Sequence, residues 1–302
     1  MKKGTIIVIL LIFMGSISGA HASFQPIAND TTSYESKLKE GIASFYKTNW
    51  ERSEAIFDKL KRVQHDDARA YFFSSMIPFW TYYFGDQSKQ AAKQFLERSQ
   101  KAIQVSRKQL QKNPQDTTMV LMLSGLYGYR SLVAASQNEY RTAVESGMTG
   151  FKYTRQLLTL DADDPRALIG KGMFYYMVGS VPKGLQWVTN MIGFSGDIQT
   201  GFAALEKAAV SQSYVSNDAK MILAYLYERE EQPRKALPFL QDLVSEYPSN
   251  MIFQYNIANI LQKCGNHAKA SNIYQRILTM DTVYLESLKE KSRRRLQQFN
   301  SF

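Results

Sequence analysis

The sequence predicts an all-α fold, a solenoid of stacked helical hairpins, and three observations carry that prediction. Two segments near the C-terminus superimpose at a shift of 34 residues: Leu223 falls on Ile257, Ala224 on Ala258, Tyr227 on Leu261, Ala236 on Ala270, Leu240 on Tyr274 and Leu243 on Ile277. Within each unit a small residue returns 12 positions later, Ala224 then Ala236 and Ala258 then Ala270. Those are the places where two antiparallel helices approach closely and a larger side chain would hold them apart. Finally, no segment alternates apolar and polar residues as a half-buried strand would. A single hairpin cannot bury its apolar face alone, so neighbours must stack.

Taken in order, the first element is a leader. Met1, Lys2 and Lys3 precede an uncharged run from Gly4 to Ala20 that is rich in Ile, Leu and Val, and Ala20-His21-Ala22 supplies a small-x-small cleavage site. We expect cleavage near Ala22, leaving one domain over 23–302 that is exported and periplasmic or associated with the outer membrane. A retained membrane anchor is the alternative, because the apolar run lies at the low end of spanning length. No Cys follows the run, which argues against a lipid anchor.

The mature chain opens with a weaker copy of the repeat, in which Gly41, Ser53, Phe57 and Leu60 hold the same relative places and Thr48-Asn49 makes the turn. Two longer hairpins follow. Residues 67–84 pair with 88–112, closed by Asn113-Pro114, and 117–136 pair with 139–160, closed by Asp164-Pro165. An irregular insert occupies 179–201, with a bend at Pro182, a short apolar helix, and a Gly193-Phe194-Ser195-Gly196-Asp197 turn in which Asp197 caps the next helix and the glycines permit backbone angles closed to other residues. The clearest units span 217–250 and 251–284, with turns at Glu231-Gln232-Pro233 and Gly265-Asn266; Pro248 ends the first, and Thr282 stands where the second would have its proline. The last stretch is a capping helix with Leu285, Leu288 and Leu296 inward and Lys289, Lys291, Arg293, Arg294 and Arg295 outward. The total is about five to six hairpins.

Over 217–282 the repeat length, the small-residue positions and the turn resemble the tetratricopeptide repeat (TPR) family, and the resemblance implies a right-handed superhelix whose first helices line a concave groove. Over 164–282 the residues Pro182, Gly193, Phe194, Gly196, Asp197 and Gly201 are also similar to a pattern in the mitochondrial outer membrane and inclusion-body-clearance family of TPR proteins. That family is implicated in protein handling and lipid-droplet-linked clearance and has no known catalytic residues. The present chain departs from it in carrying a leader and in being shorter, so the resemblance implies architecture and not a cellular role.

Charge and composition narrow the function. The chain holds 37 Lys and Arg against 27 Asp and Glu, formally +10; without Lys2 and Lys3 the balance is 35 against 27, or +8. Outside the cytoplasm such an excess favours acidic proteins, anionic headgroups or lipopolysaccharide over nucleic acid. Cys264 is the one cysteine, which excludes an internal disulfide. After the leader only His65 and His267 remain, far from metal-ligand spacing, and Asp161, Asp163 and Asp164 read as a helix stop. Gly170-Lys171-Gly172 and Gly147 to Gly150 lack the spacing of a phosphate loop. We expect no enzyme activity, no cofactor and no metal.

The leading expectation is therefore a scaffold that binds another protein or a peptide. Tyr129, Arg130, Tyr175, Tyr176, Asn256 and Asn259 are the candidate groove residues, chosen because they fall on first helices of hairpins. The alternative is a carrier for a lipid or other hydrophobic ligand, with an outer-membrane surface as a related partner, in which Trp187, Met191, Ile192 and Phe194 of the apolar stretch 185–194 make the contact.

Overall fold

The computed structural model describes residues 28–160, 164–181, 196–213, 215–281 and 284–299. The expected leader (1–22), Asp161 and Asp163 of the expected helix stop, the apolar part of the insert (182–195) and Thr282 lie outside them. The all-α hairpin fold is what the structure shows: among the described residues there are thirteen helices and no strand. They are α1 (Ala28–Tyr46), α2 (Trp50–Val63), α3 (Ala68–Phe84), α4 (Lys89–Lys112), α5 (Thr117–Ser136), α6 (Tyr140–Leu160) and α7 (Pro165–Gly179). Then come α8 (Ile198–Ala209), α9 (Ser216–Arg229), α10 (Pro233–Glu246), α11 (Met251–Lys263), α12 (His267–Leu278) and α13 (Glu286–Phe299). No described helix is long and apolar enough to cross a membrane.

Helix starts follow from short polar side chains that accept an otherwise orphaned backbone N–H. Asn49, Asp116, Asp197, Asn250 and Asn266 each cap the helix that follows, and Asp67 and Asp164 do so in front of an arginine two residues on. The turns inside hairpins share a device. Thr48, Gln87, Asn138, Glu231 and Gly265 all take a left-handed conformation, with φ of 57°, 57°, 64°, 57° and 81°. Each stands two residues before the second helix of its hairpin. Only Gly265 adopts that conformation without steric cost.

The chain divides into two compact units, unit 1 with Ser106–Ala219 and unit 2 with the described residues up to Val105 together with those from Lys220 onward. In unit 2 the small-residue positions close as expected. Ala224, Ala236, Ala258 and Ala270 are buried, Tyr227 stacks on Phe239, and the Ser53 hydroxyl donates to the Gly41 carbonyl at 2.9 Å. A Cβ added at Gly41 would lie 2.7 Å from the Phe57 ring.

Unit 2 also joins its N-terminal hairpins directly to its C-terminal repeats. Trp80 is fully buried against the rings of Phe45, Trp50, Phe84 and Phe253. Asn250 uses both ends of its amide: Nδ2 donates to the Tyr46 carbonyl at 2.6 Å while Oδ1 accepts from the Phe253 N–H at 3.0 Å. Helix α13 caps α12 with Leu285 and Leu288 buried and Leu296 half-buried. Lys289 and Lys291 correct the expected outward run: the Lys289 side chain is only 15% exposed, and Lys291 Nζ turns in and donates to the carbonyls of Phe84 and Gly85 at 3.1 and 3.0 Å. Those groups end α3, where a cation is favoured by the helix dipole. Burial lowers the Lys291 ammonium pKa, with Asp86 opposing the shift.

An exposed carboxylate gives a pH signature. Glu40 accepts from Lys37 and Arg52, each at 2.7 Å, and these hydrogen bonds lower it from 4.5 to about 2. A carboxylate depressed in the folded state adds stability above its unfolded pKa and loses it as pH falls through the folded one. The difference in stability between the wild type and Glu40→Gln is therefore expected to be constant above pH 4.5 and to vanish as pH approaches 2. Urea titrations at a series of pH values check this, and a difference that persists at pH 2 would contradict it.

In unit 1, α5 and α6 meet through Ser124 and Thr154, whose hydroxyls lie 2.6 Å apart, and through Gly150, where a Cβ would lie 3.2 Å from the Gly128 nitrogen. Helices α7 and α8 form a further hairpin. Asp197 caps α8 as expected, accepting from the Thr200 N–H at 2.6 Å. Gly196 serves by its size and not by its dihedral angles: it has no positive φ, and a Cβ there would lie 2.2 Å from the Gly179 nitrogen. Gly193 lies outside the described residues.

Candidate partner-binding surface

The first helices of unit 2 carry a connected set of polar and aromatic side chains. Glu228 of α9 accepts from Asn259 Nδ2 and from Lys263 Nζ of α11, each at 2.7 Å. Tyr225, three residues before Glu228, is hydrogen-bonded to Tyr83 of α3. The Tyr83 hydroxyl is pushed well above the usual tyrosine range, first by burial of its ring and then by Tyr225 and the Glu228 charge. Tyr255 and Asn256 follow on α11, both half-buried, and the Tyr255 ring lies 5.7 Å from that of Tyr274. Burial first, and Tyr255 second, raise the Tyr274 hydroxyl above the tyrosine range. Tyr83 and Tyr274 therefore stay neutral at physiological pH and act as rigid anchors and hydrogen-bonding groups, not as acids or bases.

Such a surface suits an extended chain. An amide side chain both donates and accepts, as a peptide backbone does, so Asn256 can pair with a passing peptide group. Tyrosine offers a large contact area at small entropic cost. Holding Asn259 against Glu228 fixes that amide before anything binds, which lowers the ordering cost of association.

The sequence-derived candidates divide. Asn256 and Asn259 lie on this surface. Tyr129 and Tyr176 do not reach any surface: both are 0% exposed. Helices α5 and α7 bury side chains around most of their circumference, so a position on a first helix is no guarantee of access. Burial, then the Asp218 charge, raises the Tyr129 hydroxyl pKa, and the Tyr176 ring packs edge-on against Phe202 at 5.7 Å. Arg130 and Tyr175, in unit 1, are half-buried, and burial lowers the Arg130 guanidinium, with Tyr127 and Glu139 opposing. Trp187, Met191, Ile192 and Phe194 lie outside the described residues. Tyr83 and Tyr225 were missed, although Tyr225 stands 34 residues before Asn259 and so occupies the same place in its repeat.

Among the described residues, no three His, Cys, Asp or Glu side chains come together as a metal site. Asp164 is the N-cap of α7, and the His267 ring packs on Phe299. No family model matches the sequence, and no curated protein matches it. Among solved structures the chain is similar to a thermophilic TPR protein of Thermus thermophilus, with 12% identity, a TM-score of 0.46, and 76% of this chain and 99% of that one covered. It is also similar to human IFIT1, solved as a dimer with m7Gppp-AAAA, with 16% identity and a TM-score of 0.43, over 88% of this chain and 62% of that one.

Proposed function

We propose that this protein is a non-catalytic scaffold of the cell envelope that binds an extended segment of another protein along the first-helix face of unit 2. The observation that carries the reading is the Glu228 node, where one carboxylate holds Asn259 and Lys263 of the neighbouring repeat in place beside Tyr255 and Asn256. The leader supports export, and the formal charge of +8 left after its removal (37 − 2 basic against 27 acidic) favours acidic partners.

The test is recovery of partners from an envelope extract on immobilised protein, with both proteins and extracted lipids identified by mass spectrometry. A protein partner is expected. Tyr255→Ala and Asn256→Ala should each weaken its binding about tenfold, roughly 1.4 kcal/mol, with unchanged helical content by circular dichroism. Binding unaffected by either substitution, or recovery of lipid alone, would overturn the proposal.

A further inference from the structure

Helices α1 and α2 of unit 2 enclose a groove of about 320 Å³ that shares no residue with the Glu228 surface. Its lining repeats at helical spacing, from Ser33 through Lys37 to Glu40 on α1 and from Ile56 through Lys59 and Leu60 to Val63 on α2. Seven residues of helix span about 10 Å, so the groove runs beside two turns of each. The lining is mostly apolar. Tyr34 and Leu60 are buried in it, Ile56 is half-buried, and Val63, the last residue of α2, is 69% exposed.

The charges around the groove say which ligand fits. Lys37 and Arg52 share one carboxylate, Glu40, each at 2.7 Å, and those bonds hold Glu40 at about 2, so it stays ionised. Lys59 is exposed and makes no ion pair among the described residues. Three cations therefore surround one carboxylate, an excess that favours an anion. A peptide backbone needs partners for its donors and acceptors, and the described lining offers no amide side chain to supply them. A hydrocarbon tail needs none and gains from leaving water. The volume lies at the low end of the range for small-ligand sites, about 300–1,000 Å³, which suits a single tail.

We propose that the α1–α2 groove binds a single-chain amphiphile with an anionic head, of which an alkyl carboxylate is the simplest. The tail lies along Tyr34, Ile56, Leu60 and Val63, and the carboxylate meets the ammonium of Lys59. The site is additional to the protein-binding surface proposed above and does not depend on it.

Isothermal titration of the purified chain with decanoate, below the concentration at which it forms micelles, should show one saturable site. Decyltrimethylammonium, the same tail with the opposite charge, should bind about tenfold more weakly. Val63→Asp should remove decanoate binding. Lys59→Glu should weaken decanoate about tenfold and strengthen decyltrimethylammonium, an inversion that a folding defect would not give. Lys269→Glu, the same charge change at an exposed position elsewhere in unit 2, should alter neither. No saturable binding, equal affinity for the two amphiphiles, or binding indifferent to Lys59→Glu would overturn the proposal. So would decanoate bound only after the residues before Ala28 are removed, which would assign the groove to the chain's own N-terminal segment. Attachment to anionic vesicles without uptake of free decanoate would overturn it as well.

Discussion

Arg69→Ala is expected to destabilise the protein by about 3–5 kcal/mol, the loss found when one partner of a buried ion pair is removed. The Arg69 side chain is 15% exposed and that of Asp67 3%. Arg69 Nε donates to both Asp67 oxygens at 2.9 and 2.8 Å, and its Nη1 and Nη2 reach Glu35 of α1 at 3.2 and 2.5 Å. The truncation would leave Glu35, 42% exposed, to return to water. Asp67 could not, and would remain as a buried, uncompensated charge beside Tyr34. Burial opposes the Arg69 charge, but the hydrogen bonds and charges of Asp67 and Glu35 outweigh it and raise the guanidinium pKa. The same Asp-x-Arg pattern recurs at Asp164 and Arg166, where Nη1 reaches Thr118 at 2.8 Å. There the two side chains are 13% and 27% exposed, so Arg166→Ala should cost less. Urea denaturation at pH 7 gives both numbers; an Arg69→Ala loss below about 1 kcal/mol, the size of a surface pair, would refute the argument.

Gly201→Ala is expected to cost about 1–3 kcal/mol, and Gly201→Val more, because overpacking at a helix crossing has no relaxation route here. A Cβ at Gly201 would lie 2.7 Å from the Tyr176 nitrogen and 2.8 Å from the Gly172 oxygen. Both are backbone atoms, so α7 and α8 would have to separate, pulling Phe202 from Tyr176. Gly147 supplies the contrast within the same unit. A Cβ there would meet only the Ser131 side chain, at 3.1 Å, which can rotate, and alanine gains up to about 1 kcal/mol of helix propensity over glycine. Thermal melts should therefore move in opposite directions for Gly201→Ala and Gly147→Ala. A Gly201→Ala protein as stable as the wild type would show that the helices do not pass as closely as described.

The contrast between what the sequence disclosed and what it hid has a physical basis. Helix boundaries were legible because they are written locally, in the turns Thr48-Asn49, Glu231-Gln232-Pro233 and Gly265-Asn266, in the closure Asp164-Pro165 and in Asp197 as a cap. The small-residue register was legible because Ala224, Ala236, Ala258 and Ala270 repeat with the chain. The left-handed turn residue was not, since Thr48, Gln87 and Glu231 belong to types that avoid that conformation and are held in it by the hairpins they close. The inward turn of Lys291 depends on the carbonyls of Phe84 and Gly85, about 200 residues earlier, and nothing in the basic run Lys289 to Arg295 distinguishes it. For the candidate surface, Asn256 and Asn259 were found by helix position alone. The same rule failed at Tyr129 and Tyr176, because α5 and α7 are apolar around most of their circumference and periodicity cannot then separate a lining face from a packed one.

The most direct measurement is site-specific photocross-linking in intact cells, with a benzophenone side chain placed at Asn256 on α11 or at Lys269, an exposed position on α12. Binding along the first helices predicts a defined adduct with another protein from position 256 and none from 269. Adducts from 269 alone, or equal labelling from both, would contradict it.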